Sequence, residues 1–233
     1  MTHMSRKKIY GLIFPLMAAA LVLEMIACTA LGAADISFID SIRAVISKIP
    51  VLKNIIDTSK INESHQIIII GIRLPRVVLA ALIGAALSVA GTSFQGLFKN
   101  SLADPYVIGS SSGGALGAAL AIVLKSKLSI PGFGIVSLFA FSGALLTTYV
   151  VYILGKIGGK LSVTSIILAG TAMNSMLSAA LSLILLFNKE QMHEIVMWTM
   201  GSFSAASWEQ IKIVAVGIIA GILVIFGCSK DLN

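Results

Sequence analysis

Long apolar runs separated by short polar joints set the pattern of this chain. Residues 77–98 carry no charge, and the run then breaks at Lys99, Asn100 and the Asp104-Pro105 pair before a second apolar run, rich in small residues, begins. At roughly 1.5 Å per residue a helix over 77–98 crosses a hydrocarbon core of about 30 Å. Two membrane crossings joined by one tight polar turn are therefore predicted. Asp104 is placed to cap the second helix, with Pro105 at its first position, where proline has no N–H to lose and its φ is already helical.

The same pattern over the whole chain predicts about six membrane helices, over 9–34, 67–98, 105–124, 129–154, 162–188 and 208–227, with a cytoplasmic turn at 155–161. Arg6, Lys7 and Lys8 precede the first helix and put the N-terminus in the cytoplasm. Lys99, Lys156, Lys160 and Lys230 then fall on the cytoplasmic side and Glu190 and Glu194 outside, whereas Lys125 and Lys127 go against the rule. A charged start followed by an apolar run also describes a secretory signal, and Met25-Ile26-Ala27-Cys28 loosely matches a lipoprotein cleavage site. The run continues past Glu24 to Ala34, however, too long for a signal core.

Residues 35–66 differ. Eight charged residues are spaced there among Ile, Val and Leu, and Ile39, Ile42, Val45, Ile46 and Ile49 recur at helical spacing. This predicts an extracytoplasmic loop with a short amphipathic helix on the membrane surface. His65 stands alone in it, without a second metal ligand nearby.

Composition agrees with the pattern. Of the 233 residues 57% are hydrophobic and 12% charged, and the mean hydropathy is +0.98. A water-soluble domain carries about 25% charged residues, so the fold class is all-α, a polytopic transmembrane helical bundle. The net charge of +7 comes from Lys and Arg spread over loops and helix ends, which fits membrane orientation and not nucleic-acid binding. Cys28 and Cys228 both lie in apolar runs and are read as small apolar residues, not as a disulfide.

Candidate chemistry is sparse. The nearest approach to a phosphate loop, at 155–161, lacks both its spacing and its hydroxyl. No Ser-His-Asp set, cysteine-histidine cluster or close carboxylate pair is visible, so catalysis and metal binding have no support. Glu24 sits inside a membrane span, where an ionised side chain costs about 2.5–3.5 kcal/mol. It either serves transport or faces another helix or the outer interface. Gly109, Gly113 and Gly117 recur every four residues, as do Gly84 and Ser88, and both sets are read as helix contacts. Thr164, Thr171, Ser175, Ser178 and Ser182 share one helical stripe with Asn174 beside it, which either lines a wet path or bonds a neighbour.

Five segments, RLPR (73–76), Gly91-x-x-x-Gln95-Gly96, KNSLADPYVIGSSSGGALG (99–117), LSVTSIILAG (161–170) and WTMGSFSAASW (198–208), follow one another in order. They resemble the successive signatures of the FecCD family, the membrane permease subunits of ABC importers for iron-siderophores, haem and cobalamin. The ordered set over most of the chain makes the resemblance specific.

The resemblance implies a single transmembrane permease domain over 1–233 in the cell (inner) membrane, with no catalytic residue, cofactor or metal of its own. The implied partners are ATPase subunits, an extracytoplasmic substrate-binding protein and a second permease subunit, identical or paralogous. Arg73 and Arg76 would dock the binding protein, a role their i, i+3 spacing at the outer end of a helix allows. Asn100 and Leu102, with Ser162, Val163 and Thr164, would form the cytoplasmic gate. Thr171, Asn174, Ser175 and Ser178 would line the translocation path. Trp198 and Gly201 would mark the periplasmic gate, with Trp198 and Trp208 as interface anchors. Ser101 stands where the family usually has proline, which implies a less rigid turn.

The family has about ten membrane helices where this chain has about six, so a truncated permease is expected. Two other classes stay open: a remnant or scaffold that couples to nothing, and an ion- or proton-driven carrier using Glu24.

Overall fold

The computed structural model describes residues 6–47, 62–124, 129–130, 133–157 and 160–229. Ile49, Lys125, Lys127 and Lys230, used above, lie outside them. The chain is helical almost throughout: α1 (Arg6–Ala30), α2 (Phe38–Ile46), α3 (Glu63–Ile67), a π-helical turn (Ile68–Arg73) and α4 (Leu74–Phe98) come first. A 3-10 turn (Pro105–Ile108), α5 (Ser110–Val123), α6 (Ile135–Leu154), α7 (Val163–Phe187), α8 (Lys189–Met200) and α9 (Trp208–Gly227) follow. Two minimal hairpins, Ser129–Ile130 with Phe133–Gly134 and Lys156–Ile157 with Lys160–Leu161, join α5 to α6 and α6 to α7.

Among the described residues five helices are long and apolar enough to cross a membrane: Tyr10–Ala30, Glu63–Phe98, Ile135–Leu154, Val163–Phe187 and Trp208–Gly227. The expected sixth, over 105–124, is corrected. Asp104 does cap, its Oδ1 accepting from the Tyr106 N–H at 2.8 Å with Pro105 following, but only a single 3-10 turn forms. Gly109, at φ 82°, then breaks the run, because that left-handed conformation cannot continue a right-handed helix. What remains, α5, has 14 residues, about 21 Å of helix, short of the hydrocarbon thickness. The polar segment at 189–194 is helical and opens α8.

Contacts divide the chain into two compact units, Met1–Leu82 with Phe203–Ile211, and Ile83–Ser202 with Lys212–Asn233. In the first, Ile36, Ala44 and Ile69 form a buried cluster, with Ala34, Val45, Ile68 and Ile70 against it. A short helix, α2, covers part of the stretch where the spacing predicts one and is capped by Ser37. Its buried face, however, carries the small residues Ser41 and Ala44, while Phe38 and Ile39 are exposed. Small side chains let α2 approach its neighbours closely, and the larger apolar ones are left for the surroundings.

In the second unit α5 packs closely on α6. A Cβ on Gly113 would overlap the Thr147 side chain and the Gly143 carbonyl, and one on Gly117 would overlap the Phe139 carbonyl. These glycines are thus helix contacts, as their spacing predicts. Gly84 is different, with nothing within 4 Å of its Cβ position. Ala119, Ile122 and Ile195 join α5 to α8 in a second buried cluster, flanked by Leu181, Ile184 and Leu185 of α7.

Candidate functional site

The RLPR segment lies where the π-turn passes into α4. In a π-turn each N–H reaches back five residues, as Leu74 N–H does to the Ile69 carbonyl. The next donor in that register would be residue 75, which is proline and has none. The Ile70 carbonyl is left without its backbone partner, and Trp208 Nε1–H donates to it at 3.0 Å. The end of the motif at 198–208 thus meets the π-turn that leads into the motif at 73–76. Arg76 adds a second tie, from Nη2 to the Ser204 carbonyl at 2.9 Å. Its Nε is buried with no partner among the described residues.

Arg73 turns the other way. Only 7% of it is exposed, and its guanidinium fork lies over the end of α1. Nη1 donates to the Thr29 carbonyl at 3.1 Å and the Ala30 carbonyl at 2.7 Å, and Nη2 to the Ala34 carbonyl at 2.6 Å. The last carbonyls of a helix have no intrahelical donor and carry partial negative charge, so a cation there satisfies both needs. Gly32 makes the space, since a Cβ on it would stand 2.7 Å from Arg73 Nη2 and 2.8 Å from Cζ. A cavity of about 350 Å3 opens beside the two arginines, walled by Cys28, Leu31, Ile72 and Val77. Of the expected docking pair, then, Arg76 keeps a donor without a protein partner, and Arg73 is spent on backbone.

The expected gate residues fall at two places. Asn100 follows Lys99, whose φ of 49° ends α4, and its Oδ1 accepts from the Leu102 N–H at 2.9 Å. Gln95 Nε2 donates to the Ser101 carbonyl at 2.8 Å, so two side-chain bonds brace the turn in which Ser101 stands for proline. Leu102 at the tip is 86% exposed. Ser162 is the N-cap residue of α7, and Val163 and Thr164, in its first turn, are exposed. Among the described residues no hydrogen bond joins Asn100 or Leu102 to Ser162, Val163 or Thr164.

Contact between those regions comes further along. Gly170 faces the Val107 carbonyl so closely that a Cβ would overlap it. Asn174 Nδ2 donates to the Tyr106 carbonyl at 3.3 Å, and Asn174 Oδ1 pairs with the Ser112 hydroxyl. Asn174 therefore clamps the broken helix on both sides of Gly109. Thr171, Ser175 and Ser178 lie on the exposed face of α7. Thr171 and Ser175 donate within their own helix, to the Leu168 and Thr171 carbonyls, which leaves hydroxyl oxygens outward as acceptors. Trp198 is 37% exposed near the end of α8, and Gly201, at φ 74°, stops that helix.

Glu24 is exposed on α1, with no hydrogen bond or ion pair among the described residues. No group of three or more His, Cys, Asp or Glu side chains is placed to hold a metal among those residues. Sequence reasoning missed the Trp208–Ile70 bond and the Gly32 slot. Its one available signal was Pro75 inside an apolar helical run, which must orphan a carbonyl somewhere upstream.

Helices of this length and apolarity, packed through glycines and joined by tight polar turns, define a multi-pass helical membrane protein. The sequence profile of the FecCD transport family matches residues 19–233, and the chain belongs to that family. It is 39% identical over 167 residues to the uncharacterized ABC transporter permease protein YvrB of Bacillus subtilis (strain 168), covering 71% of this chain and 47% of that one. It is 33% identical over 171 residues to the cobalamin import system permease protein BtuC of Halobacterium salinarum, covering 73% and 45%. The hemin transport system permease protein HmuU of Yersinia pestis is 38% identical over 156 residues, covering 65% and 46%. The chain spans about half the length of these curated relatives. A solved structure described as "an inward-facing conformation of a putative metal-chelate type ABC transporter" superposes with a TM-score of 0.75 at 26% identity, covering 95% of this chain and 63% of that one.

Proposed function

We propose that the chain is part of the permease of an ATP-binding-cassette importer for a bulky chelate of the iron-siderophore, haem or cobalamin kind, in the inner membrane with its N-terminus inside. The observation that carries this reading is the family match over 19–233, with relatives named for the import of cobalamin and hemin. ATP hydrolysis belongs to separate subunits. They drive alternating access by binding one arrangement of the permease more tightly than the other, since a ligand shifts an equilibrium only through differential affinity. A second permease subunit completes the path, and the hydroxyl face of α7 at Thr171, Ser175 and Ser178 supplies acceptors along it. The turn at Asn100 and Leu102, with Ser162, Val163 and Thr164, serves as the inner gate, and Trp198 and Gly201 border the outer one.

A binding protein delivers the chelate at the RLPR end. Arg76 is the docking charge, because it is partly exposed and its Nη2 holds only one backbone carbonyl, in an exposed setting where a carboxylate can meet the guanidinium fork. Arg76→Glu is expected to weaken docking, with the loss largest at low ionic strength, where charge attraction is least screened. Docking measured in nanodiscs that stayed unchanged at every salt concentration would overturn the role.

A further inference from the structure

We propose that Asn174 is a positioning residue for transport: its amide locks the break at Gly109 to α7, so that residues 105–112 travel with the hydroxyl face of α7 and the turn at 99–104 takes up the motion. The lock stands on geometry within one compact unit, and only the clause on transport rests on the function proposed above. A broken helix is an obvious place for a hinge, and Gly109, at φ 82°, has the backbone for one. It is held from both sides, however. Asn174 Nδ2 donates to the Tyr106 carbonyl at 3.3 Å before the break, and the Ser112 hydroxyl donates to Asn174 Oδ1 after it. Packing closes the remaining room, since a Cβ on Gly109 would stand 3.0 Å from Thr147 Cγ2 of α6 and one on Gly170 would overlap the Val107 carbonyl.

The chemistry of position 174 follows from this. An amide offers an acceptor and a donor side by side at the end of a short side chain, and both are used. Its neighbours in the stripe, Thr171 and Ser175, spend their hydroxyl protons inside α7. A rotation of α7 that swung this face toward or away from cargo would therefore draw residues 106 and 112 along by the same side chain. The turn before them is tied elsewhere. Gln95 of α4 donates to the Ser101 carbonyl, and Asn100 accepts from Leu102 within the turn. The joint between the part that follows α4 and the part that follows α7 thus falls at 102–104, beside Leu102, which is 86% exposed.

The test uses the full chain in lipid nanodiscs, with Cys28 and Cys228 replaced by alanine and spin labels on cysteines introduced at exposed positions. Pulsed electron resonance then reads two distances, from Tyr106→Cys to Leu183→Cys and from Leu102→Cys to Leu183→Cys. The first distribution should be narrow and the second broad. In Asn174→Asp the first should broaden at neutral pH and narrow again at acid pH, because a protonated carboxyl keeps one acceptor and one O–H donor whereas the ionised form has no donor. Asp104, which caps the same 3-10 turn, is common to both chains, so the parent at each pH is the reference. Recovery in acid also shows that the variant is folded. Equal widths for the two pairs in the parent, a first pair that stays narrow in Asn174→Asp at neutral pH, or broadening that acid does not reverse would each overturn the lock. Uptake of labelled ferric siderophore, haem or cobalamin by cells carrying the chain is the second arm. Asn174→Asp should lower its maximal rate about tenfold and leave the half-saturating concentration unchanged, since the residue acts through the break and not on cargo. If the distances behave as stated while uptake is unaltered, the transport role fails and the lock stands. If no uptake depends on the chain at all, the proposed function fails with it, and the lock still stands.

Discussion

Gly170 and Asn174 show how much one residue can settle on a membrane helix. Both lie on the face of α7 that meets the broken run before α5, and Gly170 approaches the Val107 carbonyl so closely that even a methyl group overlaps it. Gly170→Ala is expected to destabilise the chain by about 1–3 kcal/mol, the usual cost of overpacking a close contact. Thermal unfolding in detergent measures it. Gly84→Ala, which meets open space, should change the midpoint little. The sequence marked Gly84 by its spacing as a helix contact and gave Gly170 only as the end of a motif, because four-residue spacing identifies a face without saying what covers it. Asn174 was legible as a polar residue beside a hydroxyl stripe. Its role as a clamp was not, since that depends on Gly109 breaking the helix so that the Tyr106 carbonyl and the Ser112 hydroxyl come within reach.

Among the elements, the join of the π-turn to α4 depends on a proline and a tryptophan far apart in sequence. Pro75 removes the N–H that the five-residue register would aim at Ile70, and Trp208 replaces it. Trp208→Phe should therefore cost about 0.5–1.5 kcal/mol, the usual net worth of one hydrogen bond. Trp198→Phe, which breaks no such bond, serves as the control. Pro75→Ala restores a backbone donor at 75, so a double-mutant cycle in chemical denaturation should find the Trp208→Phe loss reduced when alanine stands at 75. Equal losses in both backgrounds would show that the indole does not act through that carbonyl. Long apolar runs announced the membrane helices, and Asp104-Pro105 announced the cap. The π-turn left no mark beyond Pro75, because its wider register depends on packing at Ile69 and on the Arg73 bonds, not on a local propensity. The shortening of α5 was likewise unreadable, since Gly109 fits a continuous small-residue face as well as a break.

For the molecule as a whole, the character of a multi-pass helical protein followed from hydropathy, and five ordered motifs carried the family. The division into two compact units did not, because the segment 203–211 joins the first unit through the bond that Trp208 donates to Ile70 and the one that Ser204 accepts from Arg76, which no periodicity reveals. The proposed function has the chain form part of a path for cargo, with energy supplied by ATP hydrolysed elsewhere. Its most direct test is the uptake of radiolabelled ferric siderophore, haem and cobalamin by cells that carry or lack the chain, with either ATP depleted or the proton gradient collapsed at constant ATP. The account predicts chain-dependent uptake of one of these chelates that is lost on ATP depletion and survives collapse of the gradient. Chain-dependent uptake that follows the proton gradient and ignores ATP would contradict it.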